Sequence, residues 1–321
     1  MRVAPLLTWS SACILALLTT SPLSASQSPR VRYHAFLAHP LRAVWVNTGA
    51  SQRVRLFAGA GVTLFDGPGG LAAFQAEDLI RVYRGSVEVY SLRRPGVRCV
   101  GWLDTKLVLE LRGRCYEYDA RRQTLAPSAV PPTASAVVRL GNGDYALDGV
   151  RDGLRLVQVR TGPERLAHVW NAPREGALPG ELHECARWFV VTSLTGPRPR
   201  EDVLWVIDTR GTAKVVRTGG TVSGICAGRS SGEVLVSLVA GGPRARSTRF
   251  ASFRAEDRSL KTLLVTRGSY NLVGYSDDRL WLVATHIVTD VGPAPLVALR
   301  VRDGAAIRLE RAAYECSVAE R

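Results

Sequence analysis

The sequence contains a serine in a pattern that could perform nucleophilic chemistry. Residues 228–232, Gly-Arg-Ser-Ser-Gly, match the G-x-S-x-G pattern of serine hydrolases, with Ser230 at the position of the nucleophile. In those enzymes the serine stands on a sharp turn between a strand and a helix. Here the next residues, Val-Leu-Val at 234–236, indicate another strand. We therefore interpret residues 228–232 as a hairpin turn.

A glycine pattern at residues 141–146, Gly-Asn-Gly-Asp-Tyr-Ala, imitates the G-x-G-x-x-A fingerprint of dinucleotide-binding proteins. That fingerprint requires a helix whose N-terminus receives the pyrophosphate. Apolar strand-like residues follow instead, so this segment is also predicted to be a hairpin turn. We expect no nucleotide and no other cofactor.

Residues 183–185, His-Glu-Cys, place three potential metal ligands side by side. Successive side chains of a strand point to opposite faces, so only His183 and Cys185 could act together. The sequence has no C-x-x-C pair and no second cluster that would complete a metal shell. We expect a half-buried pair and no metal.

The elements that carry these residues are predicted β-hairpins. The reference is residues 221–240, in which two apolar runs flank a tight polar turn, as in a hairpin. Related stretches recur at six other places along the chain. The reference residues of the copies are Thr63, Cys99, Val137, Glu181, Cys226, Leu272 and Cys316.

The spacing of these copies, 36 to 46 residues, predicts a β-propeller, because each interval holds about four strands. Residues 32–37, 43–46 and 53–57 predict three strands without a first, and residues 313–318 predict a first strand without its followers. Joining them removes two exposed sheet edges. We predict an all-β, seven-bladed β-propeller closed by one C-terminal and three N-terminal strands. Six or eight blades are the alternatives.

Two segments resemble repeats of the WD40-like propellers of TolB-type periplasmic proteins. Residues 275–284, YSDDRLWLVA, are similar to the W-S-P-D-G turn of that family and the apolar strand after it. Residues 204–218 are similar to its third and fourth strands around a D-x-x-G turn. No copy holds an intact S-P-D-G, and the chain has no room for the family's N-terminal α/β domain. The resemblance implies a propeller with a binding or scaffold role and transfers no catalytic residue.

The first 25 residues predict a cleavable secretory signal. Arg2 precedes an apolar run at residues 12–18, and small residues follow at 24–26. The run is shorter than the about 20 residues that span a bilayer, and no later run is long and apolar enough. We expect residues 26–321 to form a single β-propeller domain, monomeric, without a transmembrane segment, in the periplasm or outside the cell. An uncleaved anchor is the alternative.

The formal charge of +14 comes from 39 arginines and three lysines that are spread over the whole chain. Aromatic residues do not alternate with them as surfaces for base stacking require, which disfavours nucleic acid. An exported basic protein meets other anions. The expected partner is an envelope protein or an anionic glycan or lipid surface.

Five cysteines follow the predicted signal, an odd number that leaves at least one unpaired within the chain. Cys99 and Cys115 are predicted on the first and third strands of one blade. Two strand spacings separate their Cα atoms by roughly 10 Å, which exceeds the reach of a disulfide. The strand prediction therefore requires that these two cysteines are not bonded to each other.

The predicted binding residues are Trp102, Arg229 and Tyr275, which share one phase of the repeat. If that phase lies at the rim of the central channel, these side chains form an exposed ring of aromatics and guanidinium. The interpretation that the sequence favours for the aromatics is packing between neighbouring blades.

The sequence predicts an exported, non-catalytic propeller that binds a protein or ligand, or serves as a scaffold, in the cell envelope. The alternative is an enzyme with the propeller fold, such as a glycan lyase, hydrolase or lactonase. That alternative requires at least two acidic or histidine side chains to converge within hydrogen-bond reach in a cleft. The candidates are Asp66, Asp104, Asp144, Asp277, His183 and His286.

Overall fold

The structure is a computed structural model of the 321-residue chain. It describes residues 28–59, 61–140, 143–149, 154–160, 166–171, 182–185, 188–195, 201–208, 212–228, 230, 232–242, 245–288 and 292–319. The predicted signal, residues 1–25, lies outside these residues. Among the described residues, no helix has the length and apolar character that crossing a membrane requires.

The described residues form 27 strands, and the predicted all-β class is confirmed. Two three-residue 3₁₀ turns, Thr48–Ala50 and Pro68–Gly70, are the helical elements among them. The first three strands are β1 (Arg32–Ala38), β2 (Leu41–Asn47) and β3 (Gln52–Ala58).

Five sheets have four antiparallel strands each, in which consecutive strands of the chain are neighbours. Sheet 1 contains β4 (Val62–Asp66), β5 (Leu71–Ala76), β6 (Leu79–Arg84) and β7 (Val87–Arg93). Sheet 2 contains β8 (Arg98–Leu103), β9 (Lys106–Leu111), β10 (Arg114–Asp119) and β11 (Thr124–Pro127). Sheet 3 contains β12 (Ala134–Leu140), β13 (Gly143–Gly149), β14 (Leu154–Arg160) and β15 (Leu166–Asn171). Sheet 4 contains β16 (Leu182–Cys185), β17 (Trp188–Thr195), β18 (Glu201–Asp208) and β19 (Ala213–Arg217). Sheet 5 contains β20 (Thr221–Ala227), β21 (Glu233–Ala240), β22 (Ser247–Arg254) and β23 (Ser259–Arg267).

The sixth sheet, which we call the closing sheet, joins the two ends of the chain. Its strand order is β24 (Tyr270–Tyr275), β25 (Trp281–His286), β26 (Ala294–Arg300), β27 (Ala306–Val318), and then β1, β2 and β3. The long strand β27 pairs with β26 through its first half and with β1 through its second half, from Ala313 to Val318. The predicted joining of one C-terminal strand to three N-terminal strands is therefore observed.

The closing sheet folds back on itself at β27. One apolar cluster contains Tyr33 of β1 and Val44 of β2 together with Val283 of β25 and Leu296 of β26. In a flat sheet β2 and β25 would lie roughly 19 Å apart, since neighbouring strands are spaced by about 4.8 Å. This packing favours a division of the sheet into two four-stranded blades. The number seven depends on that division and stays a prediction.

The core lies between neighbouring sheets. In β9, Leu107 and Leu109 pack between sheets 1 and 2, whereas Val108 packs between sheets 2 and 3. The second strand of a sheet is therefore buried on both faces, and its alternate side chains fill two different boundaries. By contrast, every residue of the outermost strand β11 is exposed.

The cysteine prediction agrees with the sheet order. Cys99 lies on β8 and Cys115 on β10, and β9 runs between these strands. Both thiols are free. The placement of these residues on the first and third strands of one unit is confirmed.

A backbone irregularity corrects the phase that the sequence indicated. In four sheets one residue of the first strand bulges out of the ladder that it forms with the second strand. The bulged residues are Val100, Ser135, Ser223 and Val273. Cys99 therefore corresponds to Val222, and its predicted equivalence with Cys226 is wrong by four residues. The prediction aligned the hairpin turns, whose lengths differ between sheets.

Candidate functional site

The first strands of sheets 1 to 5 and the strands β24 and β27 of the closing sheet line one central cavity of about 530 Å³. Each of β4, β8, β12, β16, β20, β24 and β27 contributes at least one lining residue. Such convergence is the geometric consequence of arranging the sheets radially, since the first strand of each sheet then faces the axis. We call this space the channel cavity.

Its polar lining is a mixed set of neutral and titratable groups. A carboxylate, an imidazole, an amide and two thiols lie among apolar and glycine residues: Asp66, His183, Asn271, Cys226 and Cys316. Each of these residues comes from a different strand, and Asp66 is the last residue of β4. No short sequence motif therefore contains two of them. Asp66 and His183 were among the candidates from the sequence, whereas Asn271 was not.

The closing sheet holds the acidic part of this lining in place. The Ser317 hydroxyl, on β27, donates a hydrogen bond to the carboxylate of Asp66. Two residues earlier on β27, the carboxylate of Glu315 accepts a hydrogen bond from the backbone N–H of Leu64. These contacts fix the last strand of the chain against β4 at the cavity wall.

Gly224 lets two first strands approach each other closely. A Cβ atom at this position would lie 2.0 Å from Asn271 Oδ1 and 2.7 Å from the carbonyl oxygen of Leu272. Any other residue would therefore collide with the backbone of β24. The close approach of β20 and β24 places the Asn271 amide in the cavity wall.

The thiol of Cys316 is not a reactive nucleophile near neutral pH. Burial raises its pKa well above the ordinary range, and the nearby charges of Asp66 and Glu310 raise it further. The thiolate is the nucleophilic form of cysteine. Cys316 therefore stays protonated near neutral pH and lines the cavity as a small, weakly polar group.

Trp102 lies at the wall of the channel cavity and packs between sheets. Its indole Nε1 donates a hydrogen bond of 3.1 Å to the carbonyl oxygen of Phe65 in sheet 1. A Cβ atom on Gly67 would lie 2.6 Å from the ring, so that glycine makes room for it. The indole is 9% exposed, and packing between neighbouring units, which the sequence favoured, is what the structure shows for this residue.

The two other predicted binding residues have different positions. Tyr275 ends β24, is half-buried, and packs against the apolar cluster between sheet 5 and the closing sheet. Arg229 lies outside the described residues. Trp102 and Tyr275 each follow the bulge by two residues, so they do share one phase. A role in binding for any of the three stays a prediction.

Of the six acidic and histidine candidates, two line the channel cavity, Asp66 and His183. Asp277 pairs with Arg32 at 3.2 Å. Asp104 has a φ of 51° in the turn after β8, the left-handed conformation that aspartate tolerates in turns. His286 lies in a different pocket. The side chain of Asp144 lies outside the described residues.

The motifs that suggested catalysis are hairpin or strand segments. Residues 228–232 connect β20 to β21, and the Glu233 N–H donates to the Ser230 carbonyl oxygen at 3.0 Å. Residues 143–146 belong to β13, while residues 141 and 142 lie outside the described part. The described residues contain no group of three His, Cys, Asp or Glu side chains that could hold a metal ion.

Comparison with known proteins identifies the fold. No family model matches the chain. No curated protein matches its sequence. A functionally unknown protein from Desulfotomaculum acetoxidans has a similar structure, with 9% identity and a TM-score of 0.62, over 90% of this chain and 99% of that chain. An oligogalacturonate lyase in complex with manganese matches with 13% identity and a TM-score of 0.58, over 88% of this chain and 85% of that chain.

TolB from Acinetobacter baumannii is also among the matching structures, with 11% identity and a TM-score of 0.49, over 88% of this chain and 79% of that chain. The similarity to propeller repeats that the sequence indicated agrees with the fold of the matching structures that have TM-scores above 0.5. Identities this low carry information about the fold alone. The chain is an all-β protein with the β-propeller fold.

Proposed function

We propose that this β-propeller is an exported, non-catalytic binding module of the cell envelope, and that it takes a partner or ligand at the channel cavity. One observation carries the proposal: the first strands of sheets 1 to 5 and the strands β24 and β27 of the closing sheet converge on a single cavity of about 530 Å³. A concave site of several hundred Å³ that joins apolar walls to a few polar groups is the usual form of a ligand site.

The character of the lining supports binding over chemistry. The Asp66 carboxylate already accepts a hydrogen bond from Ser317, and the raised pKa of Cys316 keeps its thiol protonated. The Asn271 amide can donate and accept hydrogen bonds. These groups select a ligand by hydrogen bonds and apolar contact. The export is supported by the signal-like residues 1–25.

A propeller enzyme is the alternative, and one observation favours it. Asp66 and His183 line the same cavity, and a carboxylate with an imidazole is a pair that can perform general acid and base catalysis. One matching structure is an oligogalacturonate lyase. The alternative therefore predicts turnover of a glycan or lactone that depends on both side chains.

Blocking the channel cavity tests the proposal. Ala227 lines the cavity and is exposed, so Ala227→Trp fills the cavity mouth without displacing a buried group. The tagged full chain is incubated with an envelope fraction of the encoding organism, and bound proteins and small molecules are quantified by mass spectrometry. We expect the wild type to retain a specific partner or ligand that Ala227→Trp retains at least about tenfold less.

The matched control is Ala126→Trp, which adds the same ring to an exposed alanine of the outer strand β11. It should retain the same partner as the wild type. Equal retention by wild type and Ala227→Trp would overturn the proposal. Turnover of acidic oligosaccharides or lactones that Asp66→Asn and His183→Gln both abolish would establish the enzyme instead.

A further inference from the structure

A second pocket, of about 640 Å³, lies between sheet 5 and the closing sheet. We call it the rim pocket. Its lining comes from the start of β22, the end of β23 and the segment after it, and the end of β25. Six of its residues matter here: Arg246, Arg267, Gly268, Ser269, His286 and Val288. The rim pocket and the channel cavity share no lining residue.

The rim pocket contains a buried hydroxyl that lacks a partner. Ser269 is 5% exposed, and its Oγ atom makes no hydrogen bond within the described part of the chain. Buried polar side-chain atoms are nearly always hydrogen-bonded, and an exception calls for a physical explanation. A ligand atom that enters the pocket and accepts the hydroxyl proton would supply the missing partner.

The backbone around Ser269 is fixed before any ligand binds. The Thr248 hydroxyl donates to the Gly268 carbonyl oxygen at 2.8 Å and accepts from the Tyr270 N–H at 3.0 Å. The Ile287 N–H donates to the Ser269 carbonyl oxygen at 2.8 Å. These bonds fix the backbone on both sides of Ser269, which is a lining residue of the pocket.

The charge of the rim pocket is positive. Arg267 ends β23, pairs with Ser247 in the sheet ladder, and is exposed. Arg246 lies next to it, because the Gly268 N–H donates to the Arg246 carbonyl oxygen at 2.9 Å. Arg246 has an interaction of its own, so Arg267 is the guanidinium on which the inference rests. None of the described lining residues carries a carboxylate.

An aromatic pair and an apolar side chain complete the pocket. The rings of His286 and Tyr270 stack with centroids 4.6 Å apart and planes 17° apart. Gly268, with a φ of +102°, lies so close that a Cβ atom would be 3.2 Å from His286 Nε2. Val288 is 70% exposed at the pocket's edge. The apolar face of a ring-shaped ligand can lie against His286 and Val288 while its anionic substituent reaches Arg267 and Ser269.

We propose that the rim pocket binds the sulfate or carboxylate group of an acidic sugar, with the Arg267 guanidinium and the Ser269 hydroxyl as donors to the oxyanion. Arginine forms paired, charge-assisted hydrogen bonds to such groups. The burial of Ser269, which is 5% exposed, favours a single sugar over a lipid surface, because a planar array of headgroups does not reach a buried residue that lines a pocket. The inference is independent of the channel cavity.

Titration calorimetry with defined probes tests this site on the full chain. The probes are a sulfated heparin disaccharide, maltose as its neutral counterpart, sodium sulfate, and vesicles that contain phosphatidylglycerol. We expect saturable one-to-one binding of the sulfated disaccharide, no saturable binding of maltose, at least about tenfold weaker binding of sulfate, and no binding of vesicles. Equal affinity for sulfate and the disaccharide, or binding of vesicles alone, would exclude the sugar.

Four variants locate the site. Arg267→Ala should weaken disaccharide binding by at least about tenfold, and Ser269→Ala by about fivefold. Arg267→Lys should retain part of the affinity, because it keeps the charge and loses the fork. The matched control Arg254→Ala removes an exposed arginine at the other end of β22 and should change affinity less than about twofold.

Equal losses from Arg267→Ala and Arg254→Ala would show attraction by overall charge and would overturn the site. Thermal unfolding of each variant separates a lost contact from a lost fold, and Arg267→Lys keeps the test valid if Ser269→Ala misfolds. Ala227→Trp, which blocks the channel cavity, should bind the disaccharide as the wild type does. The two proposals can therefore fail separately.

Discussion

The contacts of the closing strands differ from those between sheets 1 and 2. On β27, Glu310 is 7% exposed and accepts a hydrogen bond of 2.8 Å from the Tyr33 hydroxyl of β1. Arg53 of β3 pairs with the same carboxylate at 3.0 Å. Between sheets 1 and 2, by contrast, the rings of Tyr90 and Tyr118 stack at 3.7 Å within an apolar cluster.

The difference follows from what each contact must accomplish. Sheets 1 and 2 follow each other in the chain, so their contacts need only bury apolar surface. The contact between Tyr33 and Glu310 joins residues 277 positions apart. The apolar pattern of a strand excludes a slip of one residue, which would move every side chain to the other face, but it discriminates less against a slip of two residues. A carboxylate with two directed partners fits one register, and we infer that Glu310 sets the register of β27.

Tyr33 is suited to this role because it remains a donor. Burial raises the pKa of its phenol, and the nearby charge of Glu310 raises it further. The hydroxyl thus stays protonated across the physiological range and can donate to the carboxylate. The closing contacts combine a neutral donor, a guanidinium and a carboxylate, whereas the contacts between sheets 1 and 2 contain few charged groups.

The largest effect should come from removing an aromatic ring from the apolar contact between sheets 1 and 2. Tyr118 is 1% exposed, and Tyr118→Ala removes its ring from the stack with Tyr90. Truncation of a buried aromatic costs about 3–5 kcal/mol. Urea unfolding should give a loss in this range that is the same at low and high salt, because no charge is removed.

Tyr118→Phe is the matched control, since it keeps the ring and removes the hydroxyl that donates to the Val89 carbonyl oxygen at 3.2 Å. It should cost about 1 kcal/mol. If both variants lost the same free energy of unfolding, the hydrogen bond and not the ring would hold sheets 1 and 2 together. The conclusion that this contact depends on apolar burial would then be wrong.

A buried histidine gives the closing strands a dependence on pH. His34 of β1 is fully buried, its Nε2 lies 2.9 Å from the Gly85 carbonyl oxygen, and its Nδ1 makes no hydrogen bond within the described residues. Burial lowers the pKa of His34 from 6.5 to about 4, and the bond to Gly85 opposes this shift only in part. The folded chain therefore holds a neutral ring with the proton on Nε2.

Protonation of His34 destabilises the folded chain as the pH falls. Between pH 6.5 and about 4 the unfolded chain binds a proton at His34 that the folded chain does not. Stability due to this group is full above pH 6.5 and falls as the pH decreases through that window, by about 3 kcal/mol in all. Urea unfolding from pH 7 to pH 4 should show this slope in the wild type and lose it in His34→Gln.

His39→Gln is the control, because His39 is exposed and its replacement should leave the slope unchanged. A wild-type slope that persists in His34→Gln would assign the pH dependence to other groups. Tyr118→Ala should retain the full pH slope, because it leaves His34 unchanged. The pH dependence would then belong to the closing strands and not to the contact between sheets 1 and 2.

The closure of the fold could be predicted from the sequence because it depends on strand patterns. Three alternating segments near residue 32 lacked a first strand, and residues 313–318 supplied one. The reading of residues 228–232 as a turn succeeded for the same reason, since apolar runs on both sides indicate a hairpin. The phase of the repeat was wrong because it was aligned on the hairpin turns, whose lengths differ: residues 104–105 connect β8 to β9, whereas residues 228–232 connect β20 to β21.

The sites could be predicted only in part. Asp66 and His183 were selected as residue types, yet their shared cavity depends on distances between sheets that no local spacing encodes. Asn271 was missed, because its place in the wall depends on Gly224 in another sheet. The rim pocket unites segments about 20 residues apart, and its strongest signal, an unpartnered hydroxyl on Ser269, exists only in three dimensions.

The smallest effect should come from removing the arginine of the ion pair in the closing sheet. The Glu310 side chain is 8% exposed, and Arg53 and Tyr33 are its two partners described above. Arg53→Ala removes the guanidinium and leaves the Tyr33 hydroxyl. Removing one partner of a fully buried ion pair costs about 3–5 kcal/mol. Because the Arg53 side chain is 42% exposed, we expect about 2 kcal/mol, measured by urea unfolding, and a smaller loss at high salt.

Lys106→Ala is the matched control, because Lys106 pairs with Glu117 at 2.9 Å inside sheet 2 with a similar exposure of 37%. That pair joins strands that the β9–β10 hairpin already connects, and its loss should cost less than about 1 kcal/mol. If Glu310 sets the register of β27, Arg53→Ala should also speed hydrogen exchange at residues 313–318 more than in sheet 2. Equal exchange and equal losses in both variants would mean that the closing ion pair is an ordinary surface contact, and that apolar packing alone selects the register.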